Sequence, residues 1–223
     1  MKYDRPPAGE PLNTSGEDVP VRQAASVVVL RGGSETLELL LVQRTPKARF
    51  MGGVWVFPGG AVDSHEGQGD SSHRLAAVRE LEEEAAIEGV DPAALIKFSQ
   101  WITPRQVAIR FDTHFFLAAL PPGQEPRIDG DECVDLGWVT PQGALDAHAE
   151  DGLALVFPTI KHLEQFAPFA SADALIKYAS GRDVQPIEPR VVVEGEVARV
   201  ILPGEPGYDD DLEEFEPSAP GPA

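Results

Sequence analysis

Three observations predict an α/β fold in which helices cover both faces of a mixed sheet. β-branched runs alternate irregularly with Ala-, Leu- and Glu-rich helical segments. The chain has 223 residues, 42% of them hydrophobic, which suffices for a single core without a disulfide or a structural metal. No apolar run approaches the roughly 18 residues of a membrane-crossing helix, so a soluble domain with no membrane partner is expected.

Residues 24–30, Ala-Ala-Ser-Val-Val-Val-Leu, form a buried strand ended by the turn Arg31-Gly32-Gly33, and residues 37–44 form a second strand that closes a hairpin. Residues 54–57 are a short apolar stretch bounded by Gly52-Gly53 and Pro58-Gly59-Gly60. Residues 72–86 favour helix by composition. Strands follow at 97–102 and 111–120, then helices at 141–149, 158–166 and 172–180, with Gly181 as the last C-cap. Residues 190–194 and 197–202 make a terminal hairpin around Gly195, which extends the sheet or pairs across a homodimer.

The domain is expected over residues 21–203, without internal repeats. Residues 1–20 are polar and Pro-rich, and residues 204–223 hold seven acids, four prolines and no base. Neither end carries enough apolar surface to offset its ordering entropy, so a flexible N-terminal segment and a flexible acidic tail are expected.

The 18 Lys and Arg stand against 37 Asp and Glu, a formal charge of −19. That balance excludes a nonspecific nucleic-acid binder, which needs a basic surface to displace counterions, and docking on anionic membranes. Cys133 is the one cysteine, which rules out an intramolecular disulfide and favours a reducing compartment; with no apolar leader at the N-terminus, cytoplasm is expected. A phosphate substrate would require a bound cation.

Chemistry concentrates between Gly59 and Ile87. At about 100° per residue, with Glu80 at the origin, Glu83 falls at about 300° and Glu84 at about 40°, so three carboxylates share one helix face. Leu81, Val78 and Ala85 form the opposite stripe, and Glu82 falls at its edge, in solvent. Like charges at this spacing repel by a few tenths of a kcal/mol per pair. Hard divalent cations, which take carboxylate and phosphate oxygens together, would compensate. The flank Val54-Trp55-Val56-Phe57-Pro58-Gly59-Gly60 adds a glycine pair at a strand end, where backbone can approach a ligand closely.

Gly60-x5-Glu66 followed by Arg79-Glu80-Leu81-Glu82-Glu83-Glu84-Ala85-Ala86-Ile87 resembles the Nudix box, G-x5-E-x7-R-E-U-x-E-E-x-G-U, with U a bulky aliphatic. The R-E-U-x-E-E string is complete. Twelve residues rather than seven separate Glu66 from Arg79, so the loop at 61–71 is longer than in the box. Ala86 replaces the box glycine, and a helix running on toward Gly89 is the expectation, because Ala continues a helix better than Gly.

The resemblance implies an α/β/α sandwich that hydrolyses a nucleoside diphosphate linked to another moiety, using Mg2+ or Mn2+. It assigns metal binding to Glu83 and Glu84 and either metal binding or the base to Glu80. Arg79 matches the arginine that orients the carboxylates, and Gly60 the opening glycine, near which a backbone carbonyl completes the coordination. The segments Leu40-Leu41-Val42-Gln43-Arg44-Thr45, Trp101-Ile102-Thr103-Pro104, Arg110 to Phe116 and Asp131-Glu132 resemble the branch that contains the peroxisomal coenzyme A diphosphatase. Coenzyme A or acyl-CoA therefore leads as substrate, with ADP-ribose or a nucleotide sugar as the alternative and a nucleotide-sensing binding module as the non-enzymatic one.

Glu132 supplies a loop carboxylate for the general-base role or is a solvated loop acid. Arg44 and Arg105 are the candidate phosphate contacts near the inferred site. Arg110 and Asp112, at a strand start, read better as an ion pair than as substrate contacts. The five histidines show no metal-ligand spacing. Cys133 reads as a small packed hydrophobe, and Trp55, Trp101 and Trp138 as core or pocket wall.

Overall fold

The computed structural model describes residue 13 and residues 18–48, 51–194 and 197–209. Most of the N-terminal segment 1–20, residues 210–223 of the acidic tail and the Gly195 turn lie outside the described residues.

Residues Val21–Arg31 form β1, which is buried on both faces over its apolar run. Alternation sends Val27 and Val29 to one side and Val28 and Leu30 to the other, all at most 1% exposed. Such a two-sided run requires a central strand. β1 meets β2 (Glu38–Arg44) antiparallel only at Leu30–Leu39 and Arg31–Glu38. Its long partner is β6 (Arg110–Ala119), parallel over ten residues from Val21–Arg110 to Leu30–Ala119.

With β3 (Trp55–Val56), β5 (Ile96–Ile102) and β8 (Pro186–Ile187), the sheet runs β3-β2-β1-β6-β5-β8. Two strands branch from this path: β4 (Gly59–Ala61) pairs with β1, and β7 (Cys133–Val139) pairs with β2. Both strands were hidden in the sequence. Glycines lead β4, and Asp135 and Gly137 weaken β propensity in β7; their pairing to β1 and β2 overrides this.

Helix α1 (Asp70–Ala85) covers one face, where Ala76, Ala77, Leu81 and Ala85 pack on Val27, Val29, Leu40 and Phe116. Helices α2 (Pro141–Ala149), α3 (Phe157–Phe166) and α4 (Ala172–Ala179) cover the other, over a core that holds Leu39, Leu41, Leu163, Phe166 and Leu175. The α/β/α sandwich with a mixed sheet follows directly. No helix among the described residues is long and apolar enough to cross a membrane.

Three local expectations are corrected. α1 does not run on to Gly89: it ends at Ala85, because Ala86 turns left-handed at φ 51° and its N–H bonds back to Glu82. That return carries Ile87 into the core at 0% exposure, so burial of Ile87 outweighs the preference of alanine for helix. The cap of α4 is Ser180 in right-handed conformation, not Gly181. The terminal hairpin, β9 (Arg190–Glu194) with β10 (Val197–Ile201), does not extend the main sheet but forms a two-stranded sheet of its own.

Candidate active site

The site begins at the glycine pair. β4 lies against β1 in the register Ser26–Gly59, Ala25–Gly60 and Ala24–Ala61, and Ser26 Oγ donates to the Pro58 carbonyl at 2.9 Å. A Cβ at Gly59 would strike the Ala25 and Ser26 backbone, and one at Gly60 would collide with the Glu80 carboxylate. Gly59 N–H donates to Glu84 Oε2 at 2.9 Å. The missing side chain of Gly59 thus lets β4 lie on β1 and that of Gly60 lets it approach α1, bringing backbone and carboxylates together.

Arg79 fastens the opposite side. Its Nε donates to Glu66 Oε1 at 3.0 Å, its Nη1 to Glu80 Oε1 at 2.7 Å and Glu83 Oε2 at 3.0 Å, and its Nη2 to the Ala61 carbonyl at 2.9 Å. One guanidinium therefore ties the long loop, β4 and two turns of α1. Glu66 also accepts from Asp63 N–H at 2.7 Å. Although burial pushes its carboxyl upward, these bonds hold Glu66 below the usual carboxylate range. The longer loop thus still delivers Glu66 to Arg79, with a turn of 3₁₀ helix at Ser64–Glu66 and the α1 start at Asp70 absorbing the extra residues.

The three acids of α1 do not share one environment. Glu83 is exposed, whereas Glu80 is 8% and Glu84 2% exposed. β4 covers Glu80 and Glu84 on the shared helix face and leaves Glu83 outside. Burial raises the Glu80 carboxyl above its ordinary value, against Arg79, with Glu83 and Glu132 adding repulsion. Burial pushes Glu84 further, to about 7, against the Gly59 N–H, with Glu80 repelling and Arg44 attracting. Cys133, fully buried, lies against Glu84, and burial followed by that carboxylate pushes its thiol up, so it is packed and unreactive.

Glu132 arrives from the loop before β7. Asp129 accepts backbone N–H bonds from Asp131, Glu132 and Cys133 at 2.7–3.0 Å, and Thr45 N–H donates to the Glu132 carbonyl at 2.8 Å. Glu80, Glu132, Gly59, Gly60 and Arg44 all line one cavity of about 680 Å³. Arg44 Nε is buried there without a hydrogen-bond partner.

The structure thus brings together Gly60, Arg79, Glu80, Glu83, Glu84, Glu132 and Arg44. It does not bring Arg105: that side chain is 75% exposed, lies 3.7 Å from Glu188 and does not line the cavity. Arg110 is buried and bonds the Thr103 carbonyl and Glu188, while Asp112 accepts from Gln100, so the expected Arg110–Asp112 pair is replaced by separate partners at the strand end. Two residues have roles here that the sequence did not assign. Glu66 carried a signal, the five-residue interval from Gly60, but no sequence distance reveals its bond to Arg79. Asp129 carried only the bland mark of an Asx turn.

The donor set suits a hard divalent cation. All candidate ligands are oxygens, and the Glu80 and Glu84 carboxyls are raised first by burial and then by neighbouring carboxylates, both of which a cation would offset. Among the described residues no three acid, His or Cys groups converge as a finished cluster, Arg79 holding Glu80 and Glu83 instead.

Known proteins resemble this chain in sequence and fold. Over 207 residues the chain is 28% identical to the Caenorhabditis elegans protein named "Putative nudix hydrolase 7", covering 77% of this chain and 68% of that one. Over 130 residues it is 32% identical to the Homo sapiens acyl-coenzyme A diphosphatase NUDT19, covering 55% of this chain and 34% of that protein. The matched part thus spans about a third of the human relative's length. Among solved structures, a NUDIX hydrolase from Alicyclobacillus acidocaldarius superposes with a TM-score of 0.63 at 24% identity, over 74% of this chain and 99% of that one. Its likeness carries the fold. The NUDIX domain itself matches residues 20–159, more than half of the chain and the whole stretch that supplies the glycine pair, α1 and the Glu132 loop, and the chain belongs to the NUDIX family.

Proposed function

We propose that the chain is a Mg2+- or Mn2+-dependent pyrophosphohydrolase that cleaves a nucleoside diphosphate linked to another moiety. The observation that carries this reading is the pair of buried carboxylates, Glu80 and Glu84, held against Gly59-Gly60, with Glu80 and both glycines lining the cavity of about 680 Å³. Glu80, Glu83 and Glu84, with backbone near Gly60, would hold the cation, which neutralises the diphosphate and activates a water. Arg79 keeps Glu80 and Glu83 aimed and limits their repulsion. Glu132 or Glu80 takes the proton of the attacking water, since both line the cavity and burial, with Glu132 adding to it, raises the proton affinity of Glu80. Arg44, with its buried Nε, is the phosphate contact within the cavity. Coenzyme A or acyl-CoA is the favoured substrate, supported by the apolar walls Trp101, Phe111, Phe115 and Phe157 and by the name of the human relative.

The test is a panel of coenzyme A, acyl-CoA, ADP-ribose and nucleotide sugars with Mg2+ or Mn2+, read by product identification. Glu83→Gln and Glu84→Gln should each lose more than about 100-fold in metal-dependent turnover while staying folded, exceeding the 10–100-fold typical of groups behind the ligands. Near wild-type turnover in both would remove the metal assignment. Binding without turnover across the panel would make the chain a sensor instead.

A further inference from the structure

The geometry points to Val191 and Val200 of the terminal hairpin as specificity-determining residues: they wall the far end of the cavity and select diphosphates whose second moiety carries an apolar chain or ring. This inference rests on the reading that the carboxylate end holds the diphosphate. Val191 and Val200 are directly opposed in the β9–β10 register, and opposed residues of an antiparallel pair project from the same face. Both line the cavity together with Pro189. The hairpin lies outside residues 20–159, so this wall belongs to a part of the chain that the family match does not cover.

Its distance from the carboxylates follows from strand order. β4 pairs with β1, and the hairpin follows β8, four strand spacings from β4 through β1, β6 and β5. At about 4.8 Å per spacing, roughly 19 Å separates β4 from β8. The walls between are Trp101, Phe111, Phe115 and Phe157, and the charged lining groups are Arg22, Arg44, Glu80 and Glu132, none of them from the hairpin. A polar moiety reaching that end would lose its hydration and find few partners, whereas an apolar one gains about fourfold in affinity per buried methylene.

The hairpin's place is set by tethers, since it shares no ladder with the main sheet. Glu188, just before it, accepts from Arg110 Nη2 at 2.8 Å, and its carbonyl accepts from the Tyr208 hydroxyl at 2.7 Å. Leu202, just after it, packs on the core. Both ends of the hairpin are thereby pinned, and the Val191–Val200 pair is held against the cavity.

The full chain is titrated calorimetrically in EDTA with octanoyl-coenzyme A and with coenzyme A. The wild type should bind the octanoyl probe at least tenfold more tightly. Val191→Asp with Val200→Asp should cut that ratio at least fivefold, and Val191→Ile should preserve it. If the double variant does not fold, Val200→Thr, nearly isosteric, should cut the ratio at least twofold. An unchanged ratio in a folded variant, or a wild type that binds both probes equally, overturns the proposal. A ratio that shifts as expected, in a protein that hydrolyses neither probe with Mg2+, leaves the wall standing and removes the hydrolase reading. Failure to bind either probe both in EDTA and with Ca2+ replacing it overturns both.

Discussion

Glu84→Gln should make the metal-free protein more stable while removing its activity. The Glu84 carboxyl is 2% exposed and is pushed from an ordinary 4.5 to about 7, burial being the main cause and Glu80 the next to raise it. Because the folded state then binds the proton more tightly than the unfolded chain, the stability this group contributes is present below about pH 4.5. It is lost as pH rises through 7. At ~1.36 kcal/mol per pH unit, the carboxylate costs the fold about 3 kcal/mol at pH 8 and less than about 1 kcal/mol at pH 5. Glutamine carries no charge to desolvate, and its carbonyl can still accept the Gly59 N–H. For a chain of this size about 3 kcal/mol corresponds to a rise in melting temperature of roughly 6–12 °C. Thermal melts in EDTA from pH 5 to pH 9 should show the variant above the wild type at pH 8, with the gap closing toward pH 5. Excess Mg2+ should then raise the wild type far more than the variant. A variant that melts at or below the wild type at pH 8, or a gap independent of pH, would refute the claim that Glu84 is held buried and short of countercharge.

Three further outcomes follow from single contacts. Gly60→Ala puts a methyl where the Glu80 carboxylate now lies; that carboxylate is the mobile end of a side chain, so melting should change by less than about 1 kcal/mol while turnover falls at least tenfold. Ala86→Gly should stabilise by about 0.5–1 kcal/mol, read by urea denaturation, since left-handed backbone at φ 51° costs alanine roughly 1–2 kcal/mol and glycine regains only part of that as unfolded-chain entropy. His162, fully buried with Nε2 2.6 Å from Ser99 Oγ, has its proton affinity driven well down by burial, so its NMR signals should not titrate between pH 8 and pH 5. The folded state then refuses a proton that the unfolded chain accepts, and stability should fall as pH drops below about 6.5.

Much of the site was legible because its parts are close in sequence. Glu80, Glu83 and Glu84 lie within five positions, and helical periodicity suffices to put them near one another. Glu82 was likewise readable as the solvated acid, and it is exposed. Periodicity stops there, since it describes a helix in isolation. It cannot know that β4 covers Glu84 and leaves Glu83 open, so three acids that look alike on a wheel range from buried to exposed in the fold. Arg44 and Arg105 looked equivalent for the same reason. Only the pairing of β2 with β7 brings Arg44 beside the Glu132 loop, while Arg105 turns outward to Glu188.

By itself the sequence determined the α/β class, the helices, the long strands and the Nudix-like string, all of which rest on local spacing, propensity and side-chain type. Tertiary structure decided what local spacing cannot carry. The parallel β1–β6 pair joins residues some ninety positions apart, and β4 and β7 exist only because β1 and β2 offer them open edges. Ala86 leaves the helix because Ile87 has a core to enter. The proton affinities of Glu80 and Glu84 belong to this same level. A carboxylate is an ordinary one in water, and becomes a group in need of a cation only when β4 removes the water from it.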